Sequence, residues 1–244
     1  FEKEYPSVGL EFNDNVHAGL KKETTLDSHW YRGIDPKISR FFAVRYALNE
    51  DGSVRQVLYP TTKDYNIAGY KSRIHPKNFA APYGEVGKDC EMFGQFRFKT
   101  HSGICVIVGG EHDQLAAYQM LSTMQKDKKY DTVAVVSSTV GETAAYKQAQ
   151  TNYDFFFQFK KIYICMDSDE AGRVSAEKLA EVLPKGRVHI MKMRRKDPNA
   201  YLYNKDTGDC HDFTNEFVSD FWAAKPYVPD GVKSASESFD EIEE

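Results

Sequence analysis

The sequence predicts an α/β fold: a parallel-type sheet with helices on both faces, preceded by a smaller mixed α+β N-terminal subdomain. Three observations predict it. Continuous apolar runs of strand length recur in the second half, at 104–108, 132–137, 161–166 and 187–193. Stretches of helical period separate them, at 113–124, 142–156 and 175–183. The runs do not alternate with polar residues, which marks strands buried on both faces and hence parallel pairing through crossover helices.

The first half has a different rhythm. Residues 1–30 are polar without a clear period. Asp35-Pro36 suits a helix start, with Ile38, Phe41 and Phe42 following at helical spacing. A hairpin comes next, with Asn49 to Gly52 as its turn and Val54, Val57 and Tyr59 on the return strand. "KDYNIAGYKSRIHPK" (63–77) reads as a basic loop, and 81–98 is punctuated by glycine. The tail, 223–244, carries prolines, a glycine, serines and then acids, the composition of a linker. The expected boundaries are 1–100 for a basic N-terminal subdomain, 101–222 for the parallel-sheet domain and 223–244 for a linker toward a further domain.

Bulk properties exclude several classes. A chain of 244 residues can bury a sizeable core, and 41% hydrophobic residues is ordinary for a globular protein. The net charge of −4 does not announce a nucleic-acid binder, although a basic stripe can coexist with acidic ends. Cys90, Cys105, Cys165 and Cys210 are far apart, which argues against a zinc cluster and a disulfide framework. Cys105 and Cys165 lie in apolar runs and are expected to be small buried residues of an intracellular protein. No apolar run approaches the roughly 18 residues of a membrane span, and no signal peptide is visible. The chain opens on Phe, as expected of a piece of a longer protein.

In a parallel sheet the chemistry gathers beyond the carboxyl ends of the strands. Glu111, His112 and Asp113 follow the first run, Asp167 and Asp169 the third, and Lys196 and Asp197 the fourth. Carboxylates gathered this way repel unless a cation neutralises them, and hard oxygen donors suit Mg²⁺ or Mn²⁺. The competing explanation for each acid is a helix N-cap. His112 is expected on the surface of a helix start. The basic residues Lys63, Lys71, Arg73, His75 and Lys77 are interleaved with Tyr65 and Tyr70, a pattern that suits phosphates and unstacked bases of single-stranded DNA. Lys192, Arg194, Arg195 and Lys196 form a second basic cluster that suits a triphosphate.

Two acidic folds fit less well. A haloacid-dehalogenase-type phosphatase places Asp-x-Asp on its first strand, and a response-regulator receiver places its acidic pair after the first strand. Here "YICMDSDEAG" puts the pair after the third. That motif, with the "GGEHD" turn after the first strand, resembles a toprim domain. The longer stretches "LPKGRVHIMKMRRKDPNAYL", "FWAAKPYVPDGV", "YRGIDPKISRFF" and "DYNIAGYKSR" resemble the primase portion of the bifunctional primase–helicases of T-odd phages and of the related mitochondrial Twinkle, over roughly residues 28–235.

The resemblance implies a DNA primase that makes short RNA primers by metal-dependent nucleotidyl transfer. It matches Asp113 to the aspartate of the family's first acidic turn, Asp167 and Asp169 to its metal-binding pair, Asp197 to a further acid expected to hold the metal with them, Arg173 to a basic residue after the acidic turn, and Lys71 to a nucleotide or template contact. It implies single-stranded DNA, ribonucleoside triphosphates, a hexameric helicase domain and a DNA polymerase as partners. It also implies an intracellular setting, the host cytoplasm for a phage protein or the mitochondrial matrix for a Twinkle-like one. The family's leading glutamate falls at Gly109, so Glu111 is expected to take its role. The alternative is a catalytically degenerate domain that grips DNA and supports the helicase. Another toprim enzyme, a topoisomerase or nuclease, lacks its expected companion elements. The zinc module common in such primases is not represented among the cysteines.

Overall fold

The computed structural model describes residues 9–74, 78–99, 103–125 and 132–229. Two sheets divide the chain. The first begins after helices α1 (Asp14–Glu23) and α2 (Pro36–Phe41) and comprises β1 (Arg45–Leu48), β2 (Val54–Lys63), β3 (Asn66–Ile74), β4 (Asn78–Phe79) and β5 (Tyr83–Gly84), all antiparallel. Asp35 caps α2 through the Lys37 N–H, as the Asp-Pro pair predicts.

The second sheet contains β6 (Ile104–Val108), β7 (Ala134–Ser137), β8 (Lys161–Cys165) and β9 (Val188–Ile190) in parallel, with β10 (Lys225–Pro226) antiparallel on its edge. Its helices are α3 (Glu111–Met124), α4 (Ala145–Thr151), α5 (Tyr153–Phe157), α6 (Glu170–Val182) and α7 (Thr214–Trp222). α3 packs on β6 and β7 and against α7, while α6 packs on β8 and against α4. Cys105, Val106, Ile107 and Val108 are all fully buried, so β6 is covered on both faces. No helix among the described residues is long and apolar enough to cross a membrane.

Three expectations change. The basic stretch 63–77 is not a loop: its residues 66–74 form β3, hydrogen-bonded to β2 through a two-residue turn in which Asp64 and Tyr65 both have positive φ. That turn matches the twist of the strands it joins. The stretch 142–156 is not one helix but a 3₁₀ turn followed by α4 and α5. Lys225–Pro226, within the tail expected as linker, pairs with β9. His75 and Lys77 lie outside the described residues, as does 230–244.

One core runs through both sheets. Tyr46, Val57 and Tyr59 of the first sheet join it with Phe42, Phe93 and the strands of the second. The opposite face of the first sheet, Leu58 and Tyr70, is covered by Leu20 and Val16 of α1 and by Phe12. The alternation of Val57, Leu58 and Tyr59 between these two clusters is the period of two that a strand imposes.

Candidate active site

The second sheet has the order β10-β9-β8-β6-β7. From β6 the chain passes through α3 to β7 on one side, and from β8 through α6 to β9 on the other. The loops after β6 and β8 therefore diverge and leave a crevice at the carboxyl end of the sheet.

The motif at 167–172 serves both explanations of its aspartates. Asp169 is the N-cap of α6, its Oδ1 accepting from the Gly172 N–H at 3.0 Å. A Cβ at Gly172 would stand 2.0 Å from the Asp167 carbonyl oxygen, so only glycine lets the helix start this close. Asp167 lies in the crevice. Loss of water, then repulsion from Glu142, Asp197 and Asp169, pushes its carboxyl up to about 6. Asp113, in the first turn of α3, accepts from the Asn199 N–H at 3.1 Å. Burial, followed by repulsion from Asp197 and partly offset by Lys205, pushes it up to about 7.

Glu142 completes the group, and the tally of acids after the first, third and fourth strands passes over it. It stands in the 3₁₀ turn after β7, held there by Gly141 with φ +92°, a conformation open to glycine. Its Oε1 accepts from the Asp167 N–H at 2.9 Å. Burial raises its pKa, and Asp169 and Asp113 add to the rise. Gly141 before an acid was the available signal. Four residues separate it from the apolar run, which hid it.

Other expected residues are engaged elsewhere. Glu111 forms a buried ion pair with Lys71 of β3 at 2.6 Å, so its carboxylate is committed to the first sheet. His112, expected on the surface, is buried. Its Nδ1 lies 3.2 Å from the Tyr59 hydroxyl and its ring meets Tyr31 edge-on. Burial first, then Arg32, Arg73 and Lys205, lower its pKa well below the usual value, so it is neutral. The sequence predicts the hairpin strand that carries Tyr59 but gives no sign that it packs over the start of α3. Asp197 is buried, accepts from the Ala200 N–H at 2.8 Å and is ion-paired with Lys205. Arg195 rests over the Phe213 ring and pairs with Glu216. Arg173 pairs with Glu170 and Glu177 on the exposed side of α6, and Lys63 with Glu85. Lys196 is exposed and its charge bears on both Asp167 and Glu142. Arg32 and Lys205, which carry no sequence signal, place positive charge near Asp113.

Among the described residues no three His, Cys, Asp or Glu side chains converge to form a ready metal cage. The donor chemistry still fits a hydrated divalent cation. The acids are hard oxygen donors in mutual repulsion, and Mg²⁺ commonly keeps several waters and takes only one or two carboxylates.

The Toprim-like family profile matches residues 106–202. Over 236 residues the chain is 30% identical to a DNA helicase/primase of Enterobacteria phage T3, covering 96% of this chain and 35% of the relative. The crystal structure of the primase fragment of the bacteriophage T7 primase–helicase superposes with a TM-score of 0.69 at 25% identity, covering 90% of this chain and 82% of that one. The chain carries a Toprim-like domain over residues 106–202 and is similar along nearly all of its length to a phage helicase/primase, of which it spans about a third. The primase domains of the T7 protein, in a structure with lagging-strand DNA polymerase, an RNA/DNA hybrid and dTTP, match at 28% identity and a TM-score of 0.65, covering 80% of this chain and 90% of that one. An Aquifex aeolicus primase shares the fold at 20% identity and a TM-score of 0.53, over 94% of this chain and 60% of that one. The toprim sheet is thus the second sheet, and its crevice carries Asp113, Glu142, Asp167 and Asp169.

Proposed function

We propose that the chain is the primer-synthesising part of a phage-type primase–helicase, joining ribonucleotides on a single-stranded DNA template. The observation that carries this reading is the acidic crevice at the switch point of a toprim sheet, in a chain similar over 96% of its length to a phage helicase/primase. In the reaction a primer 3′-hydroxyl attacks the α-phosphorus of a ribonucleoside triphosphate. The bond to the bridging oxygen breaks and pyrophosphate leaves.

Asp167, Asp169 and Asp113 supply oxygens for Mg²⁺ or Mn²⁺. Such a cation, when bound, offsets phosphate charge and acidifies the attacking hydroxyl. Asp197, already paired with Lys205, holds that lysine and the 3₁₀ turn at 198–201 beside the crevice. Lys196 attracts the triphosphate from the rim, and Arg32 and Arg73 add positive charge between the sheets. Exposed Trp30 and Tyr65 offer flat faces to unstacked template bases. Arg173, Arg195 and Lys63 meet nucleic acid only by exchanging their present carboxylate partners for phosphate. We infer a helicase and a DNA polymerase as partners and the host cytoplasm as the place of action, a reading that the likeness to the phage proteins supports.

Primer synthesis with single-stranded DNA, labelled ribonucleotides and Mg²⁺ or Mn²⁺ tests the reading. Short RNA products that fall by on the order of 10²-fold in Asp167→Asn, with unchanged circular dichroism, are expected. A chain that makes no RNA and binds neither single-stranded DNA nor Mn²⁺ overturns it.

A further inference from the structure

Gly109 ends β6 beside the crevice, and nothing in its backbone asks for glycine: its φ is not among the positive ones. What the missing side chain provides is room. A Cβ at position 109 would stand 2.9 Å from Oε1 of Glu142 and 3.2 Å from its Cδ. A carboxylate from the turn after the neighbouring strand fills that room.

That carboxylate is poorly explained as structural. Its one hydrogen bond, from the Asp167 N–H, could be accepted equally by a glutamine amide oxygen. Instead of a cationic partner, the Glu142 side chain has Asp167, through its N–H, as its hydrogen-bond neighbour, and Asp113 and Asp169 also bear on it, with Lys196 on the opposing side. Among the described residues no group engages its second oxygen. A charge held against like charges at a cost to stability is what a cation site requires and what a cap does not.

We propose that Glu142 is a cation-binding carboxylate of the nucleotidyl-transfer site, delivered from the 3₁₀ turn after β7 into the space that Gly109 leaves open. The proposal rests on the reading of the crevice as a metal-dependent transfer site. On this proposal positions 109 and 142 exclude one another as cation-binding carboxylates, because a Cβ at 109 obliges the Glu142 carboxylate to move from its present place. Glu111 then has no part in the site and remains the partner of Lys71.

The test measures Mn²⁺ affinity by calorimetry alongside primer synthesis. Glu142→Gln keeps the hydrogen bond from Asp167 and should weaken Mn²⁺ binding by about 10-fold or more, with a parallel fall in synthesis. Gly109→Glu alone should weaken both, and Gly109→Glu combined with Glu142→Ala, which clears the side chain that would collide, should recover most of the loss. Unchanged Mn²⁺ affinity in Glu142→Gln overturns the proposal, whatever happens to synthesis. A Gly109→Glu single variant that binds Mn²⁺ as well as the parent overturns the exclusivity. If the parent makes no primers, the transfer reading fails on its own, and the Mn²⁺ titrations still decide the role of Glu142.

Discussion

Asp113 and Asp167 show at the residue scale what an acidic crevice costs without its cation. Their folded-state pKa values, about 7 and about 6, lie above that of an Asp in an unfolded chain, roughly 3.9. Between those values the folded state holds more protons than the unfolded state, so stability falls as pH rises from about 4 to about 7 and stays low above. Asp113→Asn keeps the acceptor for the Asn199 N–H and removes the charge. In a chelator at pH 8 it should stabilise the fold by roughly 1–3 kcal/mol, with little effect near pH 4. Thermal melts at both pH values check this, and a destabilised variant at pH 8 would contradict the assignment. The aspartates were legible as single letters. Which oxygen caps and which faces the crevice was not, because that depends on Gly172 bringing α6 against the Asp167 carbonyl.

At the scale of the element, β3 was the hardest to read and the most consequential. Lys71 and Arg73 resemble loop charges in the sequence, yet they occupy the same face as Val57 and Tyr59 in register. A charge can face inward here because Glu111 arrives from the start of α3 to meet Lys71. Two segments 40 residues apart supply the pair, so no local pattern announces it. Lys71→Met should destabilise by about 3–5 kcal/mol, since it strands a buried carboxylate. Adding Glu111→Gln should recover much of that loss in denaturant titrations. Equal midpoints for the parent and Lys71→Met would mean that the pair is not buried in solution. The strands of the toprim sheet, by contrast, were legible from their unbroken apolar runs. Only their ends moved, because β9 stops at Ile190 and the chain then turns toward Arg194, whose N–H is held by Asp220 and the Tyr201 hydroxyl.

For the whole molecule, the shared core implies that the two sheets unfold together. Phe42, fully buried between α2 and β1, meets Phe93, Phe98 and Tyr118, the last on α3 of the toprim sheet. Phe42→Ala should cost about 3–5 kcal/mol. It should also lower one transition seen alike by far-ultraviolet and near-ultraviolet circular dichroism. Two separated transitions, only one of them moved, would show independent folding of the halves. The division near residue 100 is then a boundary of topology, marking where antiparallel pairing gives way to parallel, within one folding unit.

The glycine at 109 and the glutamate at 142 also bear on how such chains are compared. Read column by column, this sequence carries glycine where an acid is expected at the first strand exit. Read in space, the Glu142 carboxylate, from the turn after β7, stands where a side chain at 109 would begin. Positions 109 and 142 are then best understood as one unit written at two places, and a hybrid that takes either half from a chain with an acid at 109 brings the collision or the gap.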